Sequence, residues 1–131
     1  GDLTRLNSNL QKILQNSTDT TKNNTGVNLN IAINYGARDE IIHAVKKIIS
    51  KDIKVEDVNE KLISDNLYTK NIPDPDMVIR TSGEKRISNF LLWQIAYSEI
   101  YITQSYWPDF DKEKLIEAIK DFAKRKRRWG K

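Results

Sequence analysis

The sequence predicts an α/β fold built on a largely parallel sheet flanked by helices, and three observations carry that expectation. Val27, Leu29, Ile31, Ile33 and Tyr35 alternate with Asn28, Asn30, Ala32 and Asn34, the period of two that lays one apolar stripe along a strand. Met77-Val78-Ile79 and Ile100-Tyr101-Ile102 are short apolar runs that read as two more strands. Between these runs the apolar residues return to helical spacing, and no hairpin signal joins one strand to the next. Strands that alternate with helices in this way are joined by right-handed crossovers.

Leu3, Leu6, Leu10, Ile13 and Leu14 recur at helical spacing, and the polar run from Asn16 to Thr25 ends that pattern. The alternating strand follows and is broken by Gly36. Ile41, Ile42, Val45, Ile48 and Ile49 then mark a second helix, opened by Arg38-Asp39-Glu40, whose acids suit a first turn. A short helix holds Val55, Val58 and Leu62, and Pro73 and Pro75 make the chain beyond it a loop. After the Met77–Ile79 strand comes a polar, glycine-containing turn, then a mostly apolar helix with Phe90, Leu91, Leu92, Ile95 and Ala96. The Ile100–Ile102 strand, a turn at Trp107-Pro108 and a last helix with Leu115, Ile116, Ile119, Phe122 and Ala123 complete the chain.

With 131 residues, 38% hydrophobic and 31% charged, the chain suits a single core. The absence of cysteine removes disulfides, thiolate metal sites and a cysteine nucleophile, and fits a reducing cytoplasm. No apolar run approaches the roughly 20 residues of a membrane span, and Gly1-Asp2-Leu3-Thr4 does not resemble a signal peptide. The acceptor patterns at Asn16 and Asn23 would matter only in a secreted protein and read as chance. Of the net charge of +4, six cations lie in residues 124–131, and without them the rest stands at −2. Basicity thus belongs to the tail and not to a face that could follow a phosphate backbone, so nucleic acid is not the expected partner.

The stretch from Arg80 to Asn89, RTSGEKRISN, follows a strand at the position where open α/β sheets bind ligands. Arg80 and Arg86 could each donate paired hydrogen bonds to a diphosphate, Ser88 could add a hydroxyl, and a helix start could add free N–H groups. Residue chemistry alone is equally met by a helix cap at Ser88 and solvated loop cations at Arg80 and Arg86.

The run from Asp74 to Tyr101, DPDMVIRTSGEKRISNFLLWQIAYSEIY, resembles the long signature of the cis-prenyltransferases, the family of bacterial undecaprenyl diphosphate synthase (isoprenyl transferase). Asn34-Tyr35-Gly36-Ala37-Arg38, the turn from Trp107 to Phe110, and Arg127-Arg128-Trp129-Gly130 also match. The likeness is to the C-terminal part of that family's domain, so residues 1–131 are expected to form a single partial domain with an undecaprenyl diphosphate synthase-like fold.

The resemblance implies a transferase that condenses isopentenyl diphosphate with an allylic, farnesyl-type diphosphate, with magnesium, to make a cis-polyprenyl diphosphate of the kind that carries cell-wall precursors. It implies that Arg80, Arg86, Ser88 and the backbone at Ile87 hold the isopentenyl diphosphate. Glu99 falls on the family's magnesium-binding acid, whereas a lone glutamate is otherwise most often solvated or ion-paired. Arg128 and Gly130 match an Arg-x-Gly element that reaches the neighbouring subunit's diphosphate site in homodimers. The tail's cations also fit simple compensation of a helix dipole or a charged-surface patch, and a lipid product is compatible with peripheral membrane contact.

No catalytic residue is expected in this segment. The family's aspartate lies in an Asp-Gly-Asn-like motif that these residues lack, and the chain by itself is expected to be inactive. The alternative is a non-catalytic diphosphate-binding or accessory subunit. His43, the one histidine, is expected to pack or lie at the surface.

Overall fold

The computed structural model describes residues 1–126; the expected contacts of Arg128 and Gly130 lie outside them. The described chain divides into two compact units, Gly1–Tyr68 and Thr69 onward.

The first unit begins with a 3₁₀ turn at Leu3–Arg5 and helix α1, Ser8–Thr21, started by Asn7, whose side chain accepts from the Leu10 N–H at 2.9 Å. The helix runs past the polar boundary expected at Asn16. Ser17, Thr18, Thr20 and Thr21 return their hydroxyls to carbonyls four residues back, at 2.8 to 3.0 Å, so these polar residues find their partners without leaving the helix.

Helix α2, Ala37–Ile49, carries Asp39 and Glu40 in its first turn and Lys46 and Lys47 in its last, the order the helix dipole favours. Its buried positions are Ala37, Glu40, Ala44 and Ile48. Glu40 is fully buried because its carboxylate is occupied: it accepts from the Tyr35 hydroxyl at 2.6 Å and the Tyr68 N–H at 2.8 Å. His43 stacks on Tyr68 with ring centroids 5.1 Å apart. Burial pushes the Tyr68 phenol up, and the carboxylates of Asp2, Glu40 and Asp39 add to that. A 3₁₀ turn at Val55–Asp57 leads to the short helix α3, Glu60–Ser64, capped by Asn59.

The strand expected over Val27–Tyr35 is not formed. Residues 27–33 carry no regular structure, and Val27, Leu29 and Ile31 are 97%, 81% and 68% exposed. Alternation supplies a face but no hydrogen-bond partner, and a strand exists only in a ladder. Among the described residues the ladder comprises two strands elsewhere in the chain. The segment is fixed at its end, where the Asp2 N–H donates to the Asn34 carbonyl at 3.1 Å and Asn34 Nδ2 donates to the Asp2 carbonyl at 2.7 Å.

The second unit holds strands β1, Met77–Arg80, and β2, Glu99–Ile102, paired in parallel with Met77 opposite Glu99 and Arg80 opposite Ile102. Pairing continues past β1: the Arg80 carbonyl accepts from Thr103 N–H at 2.9 Å, and Gly83 and Ser82 donate to the carbonyls of Thr103 and Ser105, each at 2.8 Å. Ser82 and Gly83 reach those acceptors at φ +67° and +68°. Glycine takes that left-handed backbone without strain, whereas a side chain at Gly83 would be strained there and would have to displace the Gln104 amide.

The crossover between β1 and β2 is not the helix expected at Phe90–Ala96. Ser88, Asn89 and Leu91 have φ of +53°, +63° and +46°, and left-handed residues interrupt the repeat of N–H to carbonyl bonds four residues apart. What remains is a chain of turns with single bonds such as Phe90 N–H to Ile87 O at 3.2 Å and Ile95 N–H to Leu91 O at 3.0 Å. Tertiary burial of Gln94 and Ile95 holds the segment instead.

After a 3₁₀ turn at Trp107–Asp109, helix α4, Lys112–Lys124, packs on β2 and buries Ala118. Asp111 caps it, accepting from the Lys114 N–H at 3.0 Å, and that bond holds the Asp111 carboxyl below its ordinary 3.8. A carboxyl lowered by folding stabilises the fold above the unfolded value and loses that contribution as pH falls through the folded one. Helicity followed by circular dichroism below about pH 3.8 is therefore expected to fall less steeply in Asp111→Asn, which keeps an uncharged acceptor, than in the parent. Asp111→Ala, which removes the cap, should lower helix stability at every pH. Among the described residues no helix is long and apolar enough to cross a membrane.

Candidate functional site

The end of β1 and the turns after it line an open cavity of about 300 Å³, the lower end of the range for small-molecule sites. Val78, Ile79, Phe90, Ile100 and Ile102 give it an apolar wall, and Arg80, Glu84, Lys85, Arg86 and Ile87 complete the lining. Apolar wall and cationic groups together suit a short hydrocarbon that carries a strongly anionic head.

Arg80 is the last residue of β1, so its backbone is fixed by the sheet while its side chain reaches the cavity. Its Nε is buried and makes no hydrogen bond with the described residues. A buried guanidinium N–H left unmatched costs stability in a structural role, and an anion in the cavity would satisfy it. Arg86 lies on the same cavity but pairs with Glu84, with both side chains substantially exposed. An exposed pair of this kind is worth little and can be exchanged for a diphosphate at small cost. Ile87 is also on the wall.

Ser88 is exposed, in the left-handed region at φ +53°, and is not among the lining residues. The free N–H groups of a helix start, expected to assist here, are absent because the segment is not helical. Lys85 and Glu84 are lining residues that the sequence did not single out. Their place between the two arginines was the available signal.

Glu99 opens β2 and is half-buried. Its Oε2 accepts from Arg125 Nη1 at 2.8 Å, while Oε1 accepts no hydrogen bond from the described residues. Among those residues no group of three or more histidines and acids could hold a metal ion. Magnesium bound through one carboxylate needs phosphate oxygens and water for its other ligands, and Glu99, which alternates along β2 with the cavity-lining Ile100 and Ile102, is not itself in the lining, so the described residues do not bring it together with the two arginines.

Arg125, which sequence reasoning left among the tail cations, bridges two carboxylates: Nε and Nη2 reach Asp121 Oδ2 at 2.8 and 2.6 Å, and Nη1 also donates to the Ile100 carbonyl at 3.0 Å. The bonds to Glu99 and then Asp121 raise its already high pKa, keeping it a cation.

A family model described as "Putative undecaprenyl diphosphate synthase" matches residues 1–130. An isoprenyl transferase of Clostridium tetani is 52% identical over 134 residues, covering 99% of this chain and 52% of the relative. The chain spans about half the length of the curated relatives it matches. In three dimensions it is similar to lavandulyl diphosphate synthase from Lavandula x intermedia, solved in complex with dimethylallyl diphosphate, with a TM-score of 0.96 and 34% identity over 100% of this chain and 58% of that one. It is also similar to a "probable undecaprenyl diphosphate synthase" from Campylobacter jejuni, with a TM-score of 0.89 and 39% identity over 100% of this chain and 61% of that one.

Proposed function

Since the chain belongs to the undecaprenyl diphosphate synthase family, we propose that its residues form the isopentenyl-diphosphate side of a cis-prenyltransferase domain. The observation that carries the reading is the cavity at the end of β1, where the unmatched Arg80 Nε meets an apolar wall sized for a short alkenyl chain. Arg80 and Arg86 bind the diphosphate, with the backbone at Ile87 and the Ser88 hydroxyl as further donors. The apolar wall takes the five-carbon unit.

The reaction joins the isopentenyl alkene to the allylic carbon, releases the allylic diphosphate and loses one proton from the isopentenyl unit. No covalent enzyme intermediate is needed. Arg80 and Arg86 contribute by fixing the alkene relative to the carbon it attacks, which is catalysis by proximity. Glu99 would hold magnesium through Oε1. Magnesium, when bound, neutralises charge on the departing diphosphate.

These 131 residues contain no Asp-Gly-Asn tripeptide, and the roles proposed for them belong to the isopentenyl half of the chemistry. Homodimerisation, with Arg128 and Gly130 near a neighbour's site, a cytoplasmic location and peripheral contact with membrane through the lipid product belong to the same reading.

The test is incorporation of labelled isopentenyl diphosphate onto farnesyl diphosphate. The native full-length polypeptide is expected to elongate with magnesium and to stop when it is chelated, while the 131-residue chain assayed alone is expected to be inert. No elongation by the native polypeptide would refute the reading.

A further inference from the structure

Arg80, Lys85 and Arg86 are the cations of the cavity lining, and the two arginines are held in different ways. Arg80 is fixed by β1, with its Nε buried and unmatched, and Arg86 is paired with Glu84. Lys85 sits between the members of that pair in the chain, lines the same cavity and is exposed. Among the described residues it makes no ion pair and no side-chain hydrogen bond. A lysine in this position is a compact charge on a flexible stem, able to follow an anion without a fixed geometry.

Charge balance shows what Lys85 adds. Glu84 also lines the cavity, so three cations stand against one carboxylate and the lining keeps two net positive charges. Without Lys85 it would keep one, against a diphosphate that is a multiply charged anion. The Glu84 and Arg86 pair sharpens the need. Once a diphosphate takes Arg86, the Glu84 carboxylate loses its partner and faces a like charge, which opposes binding. Lys85, the residue between them, is the cation of the lining with no other commitment among the described residues.

We propose that Lys85 is a further binding residue for the diphosphate of isopentenyl diphosphate, a mobile ammonium that offsets Glu84 when the substrate draws Arg86 away. The inference rests on the assignment of the β1 cavity to isopentenyl diphosphate made above. Its contribution differs in kind from that of Arg80. A buried donor is screened little by salt, whereas an exposed ammonium is screened strongly. A lysine that serves only to solvate the surface would leave binding indifferent to its charge.

The experiment is calorimetric titration of isopentenyl diphosphate, without metal, into the native full-length polypeptide in about 0.01 M and about 1 M salt. At low salt Lys85→Gln is expected to weaken binding about 3–5-fold, the upper end of what an exposed charge contributes. Lys85→Glu changes the charge twice as far and should weaken it about 10–25-fold. Lys85→Arg should bind as the wild type does. Both losses should shrink towards none at high salt, while the loss in Arg80→Ala should persist there. Lys112→Gln, at an exposed lysine outside the cavity lining, makes the same change in total charge and should leave binding unaltered. Because Lys85 has no partner among the described residues, these changes remove no contact of the fold. Wild-type affinity in Lys85→Gln and Lys85→Glu at low salt, or an equal loss in Lys112→Gln, overturns the proposal. So does a loss in the Lys85 variants that high salt does not reduce. Arg80→Ala separates the two levels: if it weakens binding while the Lys85 variants do not, only this inference fails. If Arg80→Ala binds as the wild type does, the cavity assignment falls and this inference with it.

Discussion

Arg80→Ala is expected to lower kcat/KM for isopentenyl diphosphate in the native full-length polypeptide by a factor of roughly 30 to 4,000. The range follows from the cost of removing one partner of a buried, hydrogen-bonded charge pair, about 2–5 kcal/mol, at about 1.4 kcal/mol per tenfold change. Arg80 is placed for such a loss because its backbone is fixed by β1 and its Nε is already stripped of water without gaining a protein partner. Arg80→Lys keeps a charge but not the planar pair of donors, and should fall between the two. Folding should survive, because the Arg80 carbonyl bond to Thr103 involves only backbone. Steady-state kinetics with the isopentenyl diphosphate concentration varied, beside a thermal melt, check both statements; a loss of activity matched by a loss of folded protein would contradict them.

Glu99→Gln should reduce kcat at saturating substrates by about 10³-fold, since a metal-held diphosphate supplies several kcal/mol of charge stabilisation in the transition state. Glutamine preserves the shape of the side chain and can still accept from Arg125, so the change isolates the charge. Metal-free affinity for isopentenyl diphosphate should be nearly unchanged, because Glu99 is not among the residues that line the cavity. Rate measured against magnesium concentration checks the prediction: the variant should need far more magnesium, and an unshifted requirement would remove Glu99 from the metal.

The contrast between what the sequence foretold and what forms has physical causes at particular residues. Met77–Ile79 and Ile100–Ile102 were legible because each short apolar run meets the other in one parallel ladder. Val27–Ile33 has the stronger alternation but no ladder partner among the described residues, and its apolar side chains stay exposed. At Phe90–Ala96 helical spacing was real, yet the left-handed backbone at Ser88, Asn89 and Leu91 overrides it. In α1 the threonines and serines that suggested an end are retained through bonds to their own helix.

The site divides along the same lines. Arg80 and Arg86 could be singled out because they flank a glycine turn after a strand. Arg125 could not, since five consecutive cations from Lys124 to Arg128 look alike in sequence. Only the geometry at the end of α4, with Asp121 four residues earlier and β2 alongside, distinguishes it. The Asp121 and Arg125 spacing was the available signal, and it reads equally well as an ordinary helix-surface pair.

Direct titration of isopentenyl diphosphate into the native full-length polypeptide without metal, comparing wild type with Arg80→Ala by calorimetry, tests the central claim most simply. Saturable binding to the wild type that weakens by at least about 30-fold in the variant is the predicted result. Equal binding by the two proteins would contradict the assignment of the β1 cavity to the isopentenyl diphosphate group.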